Sequence, residues 1–215
     1  MYHSLLSTSI NIGLLCPSDI LKVIRKHESV IPMNSYEGYI RQLFWREYQR
    51  YTYTHYYATA TSLNFFSNKK RLSAKWYNGS TGVQPVDDCI KEGFNTGYLH
   101  HINRLMVMGN FMNLNGIMQS EGFKWFMEFS CDSYEWVMCQ NVYGMAFFAD
   151  GGATMRRPYI SSSNYIVKMS NYARGSWGDK WDALYRDFIK RNKTNLHKYR
   201  YYYKLTNCLT RLLSA

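Results

Sequence analysis

The sequence predicts an all-α fold, a bundle of helices around one core. Several stretches repeat apolar residues at helical spacing, and no stretch of useful length alternates apolar and polar residues as a strand does. The chain has 215 residues, of which 46% are hydrophobic and 19% charged, which suits one folded domain with a sizeable core. The clearest helical stripe begins after Asp179 and contains Trp181, Leu184, Tyr185, Phe188 and Ile189.

Helix signals appear early in the chain. Pro17 opens a short helix that should run to about Lys26. A longer helix is predicted over 34–57, with Asn34 as its N-cap and Glu37 completing a variant of the capping box. The buried stripe of this longer helix is expected to contain Ile40, Leu43, Phe44 and Tyr48.

The middle of the chain is less regular. Residues 58–85 lack a clean period and contain Gly79, Gly82 and Pro85, which predicts a long loop. Helices are then predicted over 86–94, 98–114, 120–129 and 132–137, and a Gly-rich connector over 141–152. The loop carries a basic run that either contacts a nucleic-acid backbone or is merely solvated: Lys69, Lys70, Arg71 and Lys75.

We expect the helical domain to occupy residues 1–192. Residues 193–215 form a basic, aromatic tail that is predicted to be helical to near Leu213. Of all the segments, this tail is the best suited to non-specific contact with a nucleic acid.

The charge balance indicates a polyanionic partner. The formal net charge is +11 and the pI is near 9.4. The 20 tyrosines, interleaved with arginine, suit stacking on bases. Two alternatives stay open: a charged surface without a partner, and a codon bias that enriches tyrosine, asparagine and lysine.

The cysteines and the hydropathy pattern predict a soluble, intracellular protein of the cytoplasm or nucleus. Five scattered cysteines suit free thiols in a reducing compartment better than a disulfide framework. No run of about 18 apolar residues predicts a membrane span, and the N-terminus lacks the basic region and cleavage site of a signal peptide.

Residues 97–152 gather the side chains that are able to do chemistry, and Arg104 is central among them. A guanidinium on a core-facing helix needs a partner, and Asp132 is the candidate. His100 and His101 are adjacent on a helix and point about 100° apart, so both cannot reach one metal ion. The residues alone predict no more than a basic helical domain with a polar internal site.

Several segments together resemble the FAD-binding domain of the photolyase and cryptochrome family, most closely its prokaryotic iron–sulfur branch. The resemblance runs in order from about His3 to about Phe188. It implies a helical bundle that holds a U-shaped FAD. The segments that carry it are HSLLSTSINIGLL, SYEGYIRQLFWREY, GYLHHINRLMVMGNF, EWVMCQNVYGM, ADGG and YIVKMSNYA.

The resemblance implies roles for individual residues. His101, with His100 beside it, matches the active-site histidine that faces the lesion in photolyases repairing (6-4) photoproducts, and Trp45 matches a tryptophan of the lesion pocket. Trp125 and Tyr77 stand on the family's electron-transfer path. For Trp45 and Trp125, simple core packing is the alternative. The residues expected to bind FAD are Ser4, Leu6, Ser7, Gln42, Arg46, Arg104, Asp132 and Met138.

The sequence also departs from the family's pattern. The family's N-terminal antenna domain is not in this sequence, so we expect a separate chain to supply that half. Cys89 matches one iron–sulfur ligand, but the other three positions read Ala173, Ser176 and about Asp179, so no cluster and no other metal is expected. Met138 replaces the residue expected to face flavin N5, and Tyr77 replaces a tryptophan.

Three functions therefore stay open at the level of sequence. The first is light-driven repair of UV-damaged DNA, of the (6-4) type, by a chain completed by its partner. The second is a flavin blue-light sensor without catalysis. The third is a degenerate remnant that retains only affinity for DNA.

Overall fold

The computed structural model describes residues 4–199, and the all-α prediction is confirmed for them. The described part contains no β-strand, only an isolated parallel bridge between Lys70 and Ile117. The α-helices are α1 Ser7–Asn11, α2 Pro17–Lys26, α3 Met33–Ser62, α4 Lys75–Asn78, α5 Gln84–Thr96, α6 Asn110–Asn115, α7 Gln119–Phe129, α8 Glu135–Met138, α9 Ser163–Met169, α10 Ser176–Arg191 and α11 Lys193–His197. Two segments are π-helical: π1 Asn103–Gly109 and π2 Cys139–Ala146.

The core lies where π1, α6, α7, π2 and α10 meet. Its largest fully buried side chains include Trp125, Trp181, Phe126 and Phe188. The long helix α3 packs across π2 and α8 from one side. Burial of such aromatic groups is the main contribution to stability in a domain of this size.

The helix α2 has the predicted bounds, but α3 begins differently from the prediction. Pro32, not Asn34, occupies its N-cap, and the carbonyl of Pro32 accepts the first helical hydrogen bonds, from the backbone N–H groups of Ser35 and Tyr36. The Asn34 side chain accepts a bond only from the N–H of Ser35, so the expected capping box is wrong. The predicted stripe holds at Leu43 but not at Phe44, which is 69% exposed.

The predicted loop over 58–85 is wrong at both ends, because α3 continues to Ser62 and α5 begins at Gln84. The hydroxyls of Thr61 and Ser62 donate back to carbonyls of the preceding turn, which lets these polar residues stay helical. The short helix α4 interrupts the loop and ends at Gly79, whose φ of 65° suits glycine.

The segment after Gly97 contains two departures from simple α-helix. The predicted helix over 98–114 begins only after His100, and its first part is the π-helix π1. The expected Gly-rich connector over 141–152 is helical to Ala146, as π2. Asp132 lies in a turn and not in the predicted helix, since α8 starts at Glu135.

The first part of the predicted tail packs against the body. Leu196 is fully buried, and the Asn195 amide donates to the carbonyl of Phe65. The predicted helix end near Leu213 lies outside the described residues. Within 4–199, no helix is both long and apolar enough to cross a bilayer.

Candidate functional site

Arg104 and Asp132 form the predicted ion pair, and it is the centre of the site. The Arg104 Nη2 lies 2.8 Å from Asp132 Oδ1, and both side chains are largely buried. The Arg104 Nε–H also donates to the carbonyl of Leu99 at 2.7 Å. The guanidinium lies over the ring of Tyr98, 5.1 Å from its centroid. These contacts fix the cation in one orientation.

Three donors converge on the Asp132 carboxylate. Besides Arg104, the hydroxyl of Ser130 donates to Oδ1 at 2.6 Å, and the hydroxyl of Ser7 donates to Oδ2 at 2.9 Å. Burial acts to raise the pKa of Asp132, but the charge of Arg104 and these hydrogen bonds outweigh it and hold the pKa below its ordinary value. Asp132 is therefore a carboxylate at neutral pH.

Two adjoining cavities flank this ion pair. One has a volume of about 240 Å³ and contains His101, Arg104 and Met138 in its wall. The other, of about 460 Å³, lies against α3 and is lined by Gln42 and Arg46 among others. Both cavities are partly open to solvent. Their combined volume falls within the roughly 300–1,000 Å³ range of small-molecule sites. Residues that line both cavities are Ser4, Leu6, Ser7, Asp132 and Val137.

Every residue predicted to contact the cofactor lines at least one of these cavities. The prediction was made from positions scattered over four parts of the chain, and the fold brings them together. They are Ser4, Leu6, Ser7, Gln42, Arg46, Arg104, Asp132 and Met138.

The two histidines have different positions. His101 lines the smaller cavity. The surrounding protein, followed by the positive charges of Arg104 and His100, lowers the pKa of His101 to about 4, so its imidazole is neutral at pH 7. The Nδ1 of His100 instead accepts the backbone N–H of Ile102 at 3.2 Å, where the helix begins. That contact gives His100 a structural role.

Arg46 and Trp45 differ in their position relative to the cavities, since Arg46 lines the larger one and Trp45 lines neither. Arg46 forms a bond with Glu47 at 2.7 Å and lies 4.7 Å from the ring centroid of Trp136, yet its buried Nε has no hydrogen-bond partner. A buried, unsatisfied donor in a cavity wall fits a site that receives an acceptor from a ligand. Trp45 does not line either cavity and is half-buried against the core, stacked on Tyr48.

The two predicted electron-transfer residues are connected through other aromatic rings. Trp125 is fully buried, and its Nε1–H donates to the carbonyl of Trp76. Phe126 lines the smaller cavity, and its ring centroid lies 5.1 Å from that of Trp125. On the other side, the ring centroid of Phe94 lies 5.9 Å from that of Trp125 and 6.0 Å from that of Tyr77. Tyr77 is 40% exposed. The four rings form a row from the cavity to the surface.

Two acidic residues, one in the segment EWVMCQNVYGM and one in ADGG, have structural partners. The Glu135 carboxylate accepts hydroxyl hydrogen bonds from Tyr53 at 2.9 Å and Tyr57 at 2.6 Å, which joins α8 to α3. Asp150 caps the following turn by accepting the N–H groups of Gly152 and Thr154. Neither carboxylate lines the two cavities.

Sequence reasoning missed some residues of the site. Asn141 lines the smaller cavity and accepts a bond from Gln49 of α3. Ser130 holds Asp132, and Tyr98 lies beneath Arg104. The polar Asn141, next to Gln140 within a mostly apolar stretch, was the signal available for it. Nothing in the sequence distinguishes Ser130 from any other turn serine.

A helical domain with a fixed, buried cation–carboxylate pair beside two adjoining cavities is a ligand-binding domain with room for a sizeable ligand. The family described as the FAD-binding domain of DNA photolyase matches residues 39–197, which is most of the chain. The chain belongs to this family of photolyase FAD-binding domains.

Two of the proteins to which the chain is similar are photolyases. The chain is 41% identical over 207 residues to a (6-4) photolyase of Agrobacterium fabrum, a match that covers 90% of this chain and 41% of that protein. It is 24% identical over 148 residues to the mitochondrial deoxyribodipyrimidine photo-lyase of Saccharomyces cerevisiae, covering 65% of this chain and 25% of that one. The chain thus spans less than half the length of either photolyase.

A third match is to a viral protein. Over 88 residues, or 40% of this chain, it is 56% identical to the uncharacterized protein R855 of Acanthamoeba polyphaga mimivirus, of which 72% is covered. The uncharacterized protein R853 of the same virus is 43% identical over 100 residues, which is 45% of this chain and 77% of that protein.

Proposed function

We propose that this chain binds FAD in the two adjoining cavities and forms the flavin-binding part of a light-driven DNA-repair protein of the (6-4) photolyase type. The observation that carries the proposal is the buried pair of Arg104 and Asp132, which lies between cavities lined by all the residues expected to bind the cofactor. The identity to an Agrobacterium (6-4) photolyase over 90% of the chain supports the type of lesion.

The residues of the cavities suit the parts of FAD. The hydroxyl of Ser4 would hold the diphosphate, beside Ser7, whose own hydroxyl donates to Asp132, and the unpaired Nε of Arg46 offers a donor in the larger cavity. Arg104 would lie beside the flavin ring, where a fixed cation favours negative charge. FAD, when bound, supplies absorption of light and transfer of single electrons.

His101 and Met138 would set the chemistry next to the ring. The imidazole of His101 is neutral at pH 7, because its pKa is lowered to about 4. A phosphate of a bound lesion would raise that pKa, so that DNA binding itself would prepare His101 to donate a proton. The thioether of Met138 offers no exchangeable proton.

We further propose that the chain holds no iron–sulfur cluster. A four-iron cluster needs four ligands, and the buried Cys89 is the one cysteine at the four ligand positions of the branch. The other ligand positions of the branch are Ala173, Ser176 and about Asp179. Measurement of iron in the purified protein tests this: stoichiometric iron would contradict it.

DNA and a second chain complete the proposal. The net charge of +11 suits a duplex from which the lesion is flipped into the pocket. The chain spans 41% of the Agrobacterium photolyase. We propose a separate polypeptide as the partner that supplies the remaining part.

The experiment is reconstitution with FAD, followed by illumination with DNA that carries a (6-4) lesion. We expect bound flavin, and Arg104→Ala should weaken its binding about tenfold or more. Arg71→Ala, an exposed arginine of the loop after α3, is the matched control and should leave flavin binding unchanged. Repair should require light and the completing polypeptide.

Other outcomes separate the alternatives. A light-induced spectral change without repair would indicate a light sensor. A protein that stays colourless with and without the completing polypeptide would overturn flavin binding, and DNA affinity that falls steeply with salt would then indicate a remnant.

A further inference from the structure

Two basic segments that lie far apart in the sequence are neighbours in the fold. One is the loop after α3, and the other is the end of α10 together with α11. All the cations named below belong to residues that are exposed to solvent. We call these six residues the basic face: Lys69, Lys70, Arg71, Arg191, Lys193 and Lys198.

Hydrogen bonds hold the loop and the end of α10 against the same turn, the one that follows α6. The backbone N–H groups of Lys69 and Lys70 both donate to the carbonyl of Gly116, at 3.1 and 2.9 Å. Arg191 reaches this turn as well, because its Nη2 donates to the carbonyl of Leu114 at 3.1 Å. The two segments therefore lie side by side.

The helix α11 is attached to the beginning of the loop. The side-chain amide of Asn195 donates to the carbonyl of Phe65 at 3.2 Å, and Lys198 Nζ lies 4.6 Å from the centroid of the Phe65 ring. Leu196, between these two contacts, is fully buried. The backbones that carry the cations are thus fixed before a ligand arrives, which reduces the ordering cost of binding.

The positive charge of the basic face is not neutralised by nearby carboxylates. None of its six cations forms an ion pair within residues 4–199. The neighbouring carboxylates of Glu121 and Asp150 accept backbone N–H groups, and Asp187 lies one turn before Arg191 on α10. The excess of positive charge attracts a polyanion.

The kind of polyanion follows from what this surface lacks. No large apolar side chain is exposed in residues 64–71 or 190–198. Protein-docking sites have an apolar or aromatic centre that is poor in charge, and membrane-binding faces insert apolar side chains. A row of phosphates requires only cations. The chemistry therefore favours the backbone of a nucleic acid.

The basic face is separate from the two cavities. None of its six residues, all in the described part of the chain, lines either cavity. Next to Lys69, the buried Asn68 donates from Nδ2 to Asn113 Oδ1 at 2.7 Å, and Asn113 Nδ2 donates to the carbonyl of Ala146 at 3.1 Å. Since Ala146 belongs to the wall of the smaller cavity, the basic face lies behind that wall.

We propose that the basic face is a second nucleic-acid contact, which holds the phosphate backbone of duplex DNA whether or not the DNA carries a lesion. The inference rests on the proposed function for the choice of DNA among polyanions, but it requires neither flavin nor entry of a base into the cavity. It joins the basic run of the loop and the described part of the basic tail into one surface.

The test measures binding of a short, undamaged, fluorescently labelled duplex to the full chain over a range of salt concentrations, without flavin and without light. Lys69→Gln combined with Lys198→Gln removes one cation from each segment. Each lost phosphate contact lowers the slope of log K against log salt by about 1. We expect the double variant to show a slope smaller by about 2 and an affinity about tenfold weaker.

The matched control removes the same charge elsewhere. Arg25→Gln combined with Lys26→Gln, at the exposed end of α2, should leave the slope and the affinity unchanged. All four substituted residues are exposed, so both double variants should fold, and circular dichroism checks this.

Chemical footprinting of the unmutated chain locates the contact independently of any variant. Lysines are acetylated with and without the duplex and quantified by mass spectrometry. We expect the duplex to protect Lys69, Lys70, Lys193 and Lys198 but not Lys26, because bound phosphates cover the lysines of the basic face alone.

Each other outcome is decisive. Equal losses of affinity in the two double variants would indicate a general effect of net charge and would overturn the proposal. So would protection confined to lysines outside the basic face, or a Lys69→Gln, Lys198→Gln variant that loses phosphatidylserine vesicles but keeps the duplex. Weakened duplex binding in that variant, in a protein that takes up no flavin, would retain the basic face and overturn only the flavin site.

Discussion

Gly109 of π1 lies so close to Ala146 of π2 that a Cβ at Gly109 would be 2.6 Å from the Cβ of Ala146. The same Cβ would lie 3.2 Å from the carbonyl oxygen of Arg104. Both π-helices contribute residues to the smaller cavity, so this close packing fixes the wall that carries the Arg104 side chain.

Gly109→Ala should therefore destabilise the protein by about 1–3 kcal/mol, because the extra methyl forces the two π-helices apart. Urea denaturation measures the change. Gly38→Ala in α3, where a Cβ meets nothing closer than 4.0 Å, is the control and should be neutral or stabilising by up to about 1 kcal/mol. Equal stability of the two variants would contradict the close packing.

Asp132→Asn should remove an acid-dependent part of the stability. The pKa of Asp132 is lowered in the folded protein, so its stabilising effect is fully present above the ordinary value of 3.8 and is lost as the pH falls further toward the folded pKa. The difference in unfolding free energy between wild type and Asp132→Asn should be constant near neutral pH and should narrow below about pH 4. A difference that stays constant down to pH 2 would be inconsistent with the ion pair.

His101 should be neutral at physiological pH. With its pKa lowered to about 4, its imidazole resonances should titrate well below pH 6.5 in an NMR experiment. Removing the neighbouring cation in Arg104→Gln should raise this pKa, because repulsion of the imidazolium is relieved. Titration near 6.5 in both proteins would refute the effect of the surroundings.

Tyr57→Phe should lower the unfolding free energy by about 1 kcal/mol. Its hydroxyl donates to the Glu135 carboxylate at 2.6 Å, and the exposure of Glu135 reduces the value below that of a buried charged hydrogen bond. A double-mutant cycle with Glu135→Gln isolates the coupling. Tyr51→Phe, on the same helix and 65% exposed, should change little; a coupling near zero would remove Glu135 as the link between α3 and α8.

Much of this site followed from the sequence, because charge and apolar spacing carry the needed information. The pairing of Arg104 with Asp132 was predictable, since a cation on a core-facing helix must be neutralised. The bounds of α2 were predictable from Pro17 and the apolar spacing. The cavities were not, because they arise only where distant segments meet.

The remaining differences between the predicted and the observed helices have physical causes. A π-helix and an α-helix differ by less than one residue per turn, so seven or eight residues of π1 or π2 do not distinguish them by spacing. Phe44 fits the period of α3 but is exposed, because no element of the described residues 4–199 packs over it. Spacing identifies the face of a helix, whereas burial depends on what lies opposite.

The bond from Ser7 to Asp132 has a consequence for the order of folding. It joins residues 125 positions apart, and the Asn11 amide donates to the Asp132 carbonyl beside it, while one residue of 4–33 is buried. Closure of such a long loop is entropically unfavourable until both ends are already shaped. We expect the N-terminal segment to dock last, so a nascent chain would acquire the ability to capture its pigment only after the rest had matured.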